Sequence, residues 1–327
     1  MMNLFLRSLI FTAAFFSVVQ GVSADTLSHA EKLRRLLLSG DTNYVFVAAH
    51  RMDWRNHPEN SLSSAKSAIA MGVDILEIDV AITSDDKFVL LHDTKLDRTT
   101  DGSGLVKDFT LNEIKKYRLR ERLGGKNAPL TEEHVATLEE VLLYAKGKCL
   151  INIDKFTRQS AKVLRAIKRL GMERQVICKA GGSPDRMRQL TGEEWKAIDS
   201  GEVIYMPIVV VKSDSDGIEK PIGSWRQEKQ VPRIYEVCLR NTDGDRFFEE
   251  FFALPERPRL WLNTMWGGLN NNHTREDKKT NFEEGWDWFL SRGATVLQTD
   301  RPAALIEYLK KKGRRTLPDA GGKKVNP

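Results

Sequence analysis

Short apolar runs alternate with amphipathic stretches along most of this chain. The runs are Tyr44–Ala49, Ile75–Ile82, Phe88–Leu91, Cys149–Ile153, Gln175–Lys179, Val203–Val211, Arg233–Val237, Leu260–Leu262 and Thr295–Leu297. Helical periodicity falls between many of them, over Ser61–Ala70, Leu138–Ala145, Gln159–Leu170, Arg246–Ala253, Phe282–Ser291 and Pro302–Lys312, and an earlier helix covers Ser28–Leu38. Continuous apolar runs separated by helices predict a parallel sheet covered on both faces. Nine runs are one more than a closed (β/α)8 TIM barrel of the α/β class uses, so one of them is a side strand or not a strand at all.

The pair Ile75–Ile82 and Phe88–Leu91 is separated by about five residues, too few for the crossover that parallel strands need. Ser84-Asp85-Asp86-Lys87 reads as a turn, so the pair predicts an antiparallel hairpin. A turn centred between Asp85 and Asp86 places Asp79 opposite His92. Glu77 and Asp79 share a face, because side chains alternate along a strand. Two carboxylates and one imidazole thus meet at one end of the sheet. The charged stretch Leu111–Glu133 breaks the alternation and predicts a small excursion on the catalytic face, as a short helical cap.

The ends of the chain carry different signals. Arg7 precedes the apolar run Leu9–Val19, and Val22-Ser23-Ala24 is a small-residue cleavage pattern, so residues 1–24 read as a signal peptide. Its run is short for a membrane span. The expectation is therefore export, to a periplasm or outside the cell, with no stable membrane anchor after cleavage. Residues 25–43 read as a helix and lead-in, 44–312 as the barrel, and 313–327 as a flexible basic tail. The net charge of +6 suits anionic small molecules. No zinc-finger spacing or interleaving of bases with aromatics points to nucleic acid. Cys149, Cys178 and Cys238 are odd in number and the first two sit in apolar runs, which argues against a disulfide scaffold.

The residues that carry chemistry cluster between His50 and Gly104: His50-Arg51, Pro58-Glu59-Asn60-Ser61, Gly72-Val73-Asp74, Glu77-Ile78-Asp79-Val80, His92-Asp93 and Arg98-Thr99-Thr100-Asp101-Gly102-Ser103-Gly104. Their order and spacing resemble the glycerophosphodiester phosphodiesterase family, whose barrel is related to bacterial phosphatidylinositol phospholipases C. Ala136-Thr137-Leu138-Glu139-Glu140-Val141 and Thr299-Asp300-Arg301-Pro302 resemble two further family motifs. The resemblance runs from Tyr44 to Leu309 and is thin from Gly181 to Arg257. It implies metal-dependent hydrolysis of a glycerophosphocholine-like diester to an alcohol and glycerol phosphate.

The resemblance also assigns roles. His50 and His92 become the acid/base pair, for which imidazole is suited. Glu77 and Asp79 become metal ligands, and Asp154 takes the place of a family glutamate one methylene longer. Oxygen ligands without thiolates favour Mg2+ or Ca2+. Arg51 resembles a phosphate-contacting arginine. Lys155 stands one residue earlier than the family lysine and, by alternation, is expected to point away. Lys179 either supplies that charge or snorkels to solvent. Glu59 and Asn60 are expected to position a loop and cap the next helix. Asn263 and Trp266 are candidates for substrate contact, with Trp261 in the core. His29, His57 and His134 are expected at the surface, and His273 lies in a polar loop. The attacking group is water or the neighbouring glycerol hydroxyl. Competing readings are a phospholipase-type or sphingomyelinase-D-like enzyme on the same barrel, and an inactive barrel that only binds.

Overall fold

Each apolar run becomes a strand because β-branched and aromatic residues bury both faces of a sheet. The structure is a computed structural model and describes residues 27–276 and 282–317. The proposed signal peptide therefore lies outside the described residues. The strands, in chain order, are β1 Phe46–Ala49, β2 Ile75–Ile82, β3 Phe88–Leu90, β4 Arg118–Arg120, β5 Leu130–His134, β6 Leu150–Asp154, β7 Val176–Ala180, β8 Ile204–Val211, β9 Ile234–Leu239, β10 Arg259–Asn263 and β11 Val296–Thr299. Eight of the described strands are parallel neighbours in the order β1-β11-β10-β9-β8-β7-β6-β2, and pairing of β1 with β2 closes the ring. This is a closed (β/α)8 barrel, with β3 as the surplus strand, antiparallel on β2. No helix among the described residues is long and apolar enough to cross a membrane.

Alternation sorts the barrel's side chains by height. The lower inward positions are apolar: Phe46 and Ala48, Ile75, Leu150, Ile177, Ile204 and Met206, Ile234, Trp261 and Val296 form one cluster. The helix His29–Leu38 plugs this end with Leu33, Leu36 and Leu37. Its C-terminal carbonyls, which lack partners within the helix, accept from the buried guanidinium of Arg259, at 2.7 Å for Leu37 and 2.5 Å for Leu36. Two residues further along, the inward positions turn polar on every barrel strand except β8, where Ile208 follows Met206. The second core lies between the barrel and its outer helices. Cys149, Cys178 and Cys238 are buried and unpaired.

The hairpin differs from expectation by one position. Ile82 pairs with Phe88 and Val80 with Leu90, so Asp79 faces Leu91 rather than His92. The loop is the three residues Ser84–Asp86, closed by Thr83 N–H donating to the Lys87 carbonyl at 3.0 Å, and Asp86 is left-handed at φ 58°. An odd loop of this kind shifts the register. His92 reaches the rim from just beyond the strand end.

The excursion after Leu111 holds the short helix Leu111–Ile114 and then a hairpin of β4 and β5, where only a helical cap was expected. The helices Pro184–Thr191, Lys196–Asp199 and Glu219–Arg226 were not expected. The first has few apolar residues and the last contains Pro221 and Gly223, so their periodicity is weak. Arg314 and Arg315, assigned above to a loose tail, are docked. Arg314 donates to the Asn43 carbonyl at 2.8 Å, and Arg315 pairs with buried Asp74. Residues 318–327 of that tail lie outside the described residues.

Candidate active site

The polar upper layer continues the same inward lines: Glu77 and Asp79 on β2, Asp154 on β6, Lys179 on β7, Glu236 on β9 and Asn263 on β10. His50 and Asp300 follow the last residues of β1 and β11. All lie at the C-terminal rim, where (β/α)8 enzymes build their sites. The period that makes the barrel floor apolar therefore also delivers the reactive groups.

Glu77, Asp79 and Asp154 offer oxygen atoms within 4.8 Å of one another. Opposed oxygens around one hard cation lie about 4–5 Å apart, so a single Mg2+ or Ca2+ fits between these three. Burial raises the Glu77 pKa, and the negative charge of Asp79 raises it further. Burial also opposes the Asp79 carboxylate. The charges of Lys155, His92 and Arg51, with a hydrogen bond from Asn60, outweigh it and hold that pKa below the usual range. Asn60 clasps Asp79 from both sides: its amide donates to Oδ2 at 2.9 Å and its carbonyl accepts from the Asp79 backbone at 3.0 Å. The cap of the following helix is Ser61, not Asn60.

Both lysines enter the site. Lys155 was expected to point away, but its backbone is left-handed, at φ 59°, and strand alternation ends at Asp154. Its ammonium lies 3.4 Å from Asp79 and donates to the His92 carbonyl. Lys179 is buried, 3.3 Å from Asp154, 3.2 Å from Glu236 and 3.9 Å from Glu77, so it does not snorkel. Burial disfavours its charge, but these three carboxylates prevail and raise its pKa. Arg51 donates its backbone N–H to Glu77 at 2.8 Å, and its side chain reaches Glu59 at 3.0 Å. Its buried Nε, 3.6 Å from Asp79, has no hydrogen-bond partner, a donor free for an anionic oxygen.

Each histidine is oriented by an aspartate. His50 Nδ1 is 2.7 Å from Asp300 Oδ1, and His92 Nδ1 is 2.7 Å from Asp93 Oδ1. With Nδ1 as the donor in each pair, Nε2 is left to exchange protons. Burial lowers the His50 pKa, while the bond to Asp300 and the charges of Glu77 and Asp300 more than reverse this, and the net shift is upward. Asp300 is itself fixed by the Trp54 indole at 2.7 Å and, through its backbone N–H, by Glu276 at 2.7 Å. Glu276 is wholly buried and also accepts from Thr264, Trp286 and Thr299. On the other side Arg98 joins Asp93 at 2.7 Å to Glu59 at 2.7 Å, linking the His92 arm to Arg51.

The remaining expectations divide. Trp266 stands at the rim, 38% exposed, with its ring edge-on to His50 at 5.2 Å. Asn263 is buried and donates to Glu236 at 2.8 Å, so its amide serves the floor of the site rather than its mouth. Trp261 is in the core. His29 and His134 are exposed and His57 is partly so. His273 pairs with Asp243 and stacks on Trp288 at 3.6 Å, away from the site. Sequence reasoning left Glu236 and Asp300 without roles, although both are polar residues on inward lines whose lower members are apolar.

Two family models match the chain: the glycerophosphoryl diester phosphodiesterase family over residues 50–199, and a domain of unknown function over residues 205–309. A glycerophosphodiester phosphodiesterase of Bacillus altitudinis is 31% identical over 179 residues, covering 51% of this chain and 71% of that protein. The chain belongs to the glycerophosphodiester phosphodiesterase family. A member from Caldanaerobacter subterraneus subsp. tengcongensis is 41% identical over 140 residues, covering 41% of this chain and 56% of that protein. The chain thus spans about half the length of several curated relatives it matches. Among solved structures, a family enzyme of Parabacteroides distasonis superposes with a TM-score of 0.70 at 20% identity, covering 91% of this chain and 98% of that one. An Oleispira antarctica phosphodiesterase in complex with the product sn-glycerol-3-phosphate superposes with a TM-score of 0.56 at 18% identity, covering 81% and 96%. The barrel is therefore shared along nearly the whole chain, while the sequence likeness concentrates in its first half.

Proposed function

We propose that the protein hydrolyses glycerophosphodiesters to an alcohol and glycerol phosphate, using one divalent cation and the imidazoles of His50 and His92. The observation that carries the reading is the convergence of three inward carboxylates with two aspartate-oriented histidines at one rim. Glu77, Asp79 and Asp154 would hold the cation, and their all-oxygen donor set favours Mg2+ or Ca2+. Such a cation, when bound, neutralises charge developing on the phosphoryl oxygens.

The chain's own groups do the rest. Arg51, beside Glu77 and Asp79, would offer its guanidinium charge to a phosphate oxygen. Lys155 and Lys179 hold positive charge beside the carboxylates and offset their mutual repulsion. One histidine accepts a proton from the attacking hydroxyl and the other donates one to the departing alkoxide; water attack gives glycerol phosphate directly, whereas attack by the glycerol hydroxyl gives a cyclic phosphate that water then opens. Trp266 forms one wall beside His50.

Turnover of glycerophosphocholine, followed by release of glycerol phosphate, tests this. His50→Ala and His92→Ala each lower kcat by more than about a hundredfold, with calorimetric binding of Mg2+ or Ca2+ retained. Near-normal turnover in either variant removes that residue from the mechanism. We also propose export of the chain by cleavage near Ala24. N-terminal sequencing of protein from the producing cells should begin at Asp25, and an intact Met1 contradicts it.

A further inference from the structure

Beside the carboxylate cluster, on the far side of His92, lies a cleft of about 360 Å3 that the reaction described above leaves unused. Ala81 and Ile82 of β2, Phe88 of β3, and Leu105 and Val106 are among the residues that line it. His92 and Lys155 belong to its near wall, and both also face the catalytic rim. Seven of its lining side chains are hydrocarbon: Val80, Ala81, Ile82, Phe88, Leu91, Leu105 and Val106. Its volume falls within the range of about 300–1,000 Å3 found for ligand pockets.

The two ends of the site therefore differ. Around His50 stand Asp300, the Trp54 indole and Arg55, whose Nε–H donates to the Asp300 carbonyl at 2.6 Å. That end suits a hydroxyl-rich group such as glycerol. Around His92 the neighbouring surface is mostly hydrocarbon, from Val80, Ile82, Phe88, Leu91 and Leu105, with Asp93, Thr94, Gln159 and the ammonium groups of Lys107 and Lys155 at its margins. A polar head group gains nothing from the hydrocarbon part, whereas an alkyl chain is removed from water there.

We infer that this cleft is the subsite for the second alcohol of the diester, and that it takes an alcohol bearing a hydrocarbon chain. The inference rests on the proposed phosphodiesterase activity. It places glycerol toward His50 and Trp266, the phosphate at the carboxylates, and the chain over His92 onto Ile82, Phe88 and Leu105. Transfer of one methylene from water to an apolar wall is worth up to about fourfold in affinity.

The test is kcat/KM for glycerophosphodiesters of methanol, butanol and octanol, each below its micellar concentration, with glycerophosphocholine as reference. The octyl diester should exceed the methyl diester by at least about tenfold. Leu105→Ser and Ile82→Ser should each reduce that ratio severalfold and leave glycerophosphocholine turnover unchanged. A ratio near one in the parent protein, or a ratio untouched by both variants, overturns the subsite. Calorimetric binding of n-octyl phosphate and methyl phosphate to the same three proteins gives a readout free of turnover. Should no diester be hydrolysed, the proposed reaction fails. The cleft is then upheld by tighter octyl binding that both serine variants weaken, and overturned by equal binding of the two phosphates.

Discussion

Asp300 shows how much one carboxylate at a strand end can determine. Burial alone would pull the His50 pKa down, and it is the bond to Asp300, with nearby negative charge, that turns the shift upward. In Asp300→Asn the hydrogen bond to the carboxylate and its charge are lost, while burial and the charge of Glu77 remain. The His50-dependent limb of the pH profile for kcat/KM should therefore move to lower pH. Turnover should also fall about ten- to hundredfold, as for other partners that orient a working imidazole. A profile unmoved by the substitution would show that Asp300 is merely structural. That His50, His92, Glu77 and Asp79 would come together was legible because they sit in compact motifs around the ends of the early strands. Asp300 and Glu236 were not, since a single acid in Thr-Asp-Arg-Pro or Tyr-Glu-Val has no local signal beyond its parity with an apolar residue earlier on the strand, Val296 for Asp300 and Ile234 for Glu236. Lys155 was misread for a related reason: parity holds only while the chain stays extended, and its backbone turns left-handed at that residue.

At the scale of elements, the β4–β5 hairpin does what no helical cap in that excursion could do. Gly125 N–H donates to the Arg98 carbonyl at 2.6 Å, and Arg98 in turn reaches Asp93, Glu59 and the Leu123 carbonyl. Gly124 sits at φ 68°, and a Cβ there would overlap the Arg98 carbonyl oxygen. Only glycine tolerates both the dihedral and the contact. Gly124→Ala should displace Arg98 and with it the Asp93–His92 pair, lowering the thermal midpoint and kcat together. Unchanged kcat in a folded variant would disconnect the hairpin from the site. The strand–helix alternation was readable because its periods are strong. The register of the β2–β3 hairpin was not, because one residue more or less in a polar turn leaves the apolar pattern of both runs intact.

On the scale of the whole molecule, the barrel separates stability from chemistry. Its apolar end is sealed by the first helix and by Arg315, which pairs with Asp74, also bound by the Tyr44 hydroxyl at 2.6 Å and the Val47 N–H at 2.7 Å. Arg315→Ala leaves a buried carboxylate short of its cation and should cost about 3 kcal/mol in urea unfolding. Activity at 25 °C should survive, because Asp74 precedes β2 and lies at the opposite end from the site. Loss of activity without loss of stability would contradict this division. The catalytic end rests on a single claim, that Glu77, Asp79 and Asp154 surround one divalent cation. Anomalous diffraction from crystals grown with Mn2+ tests it most directly. The account predicts one strong peak about 2.0–2.6 Å from an oxygen of each of the three carboxylates, lost in Asp79→Asn. A protein that turns over glycerophosphocholine in such crystals with no peak there, or with its only peak elsewhere, would contradict it.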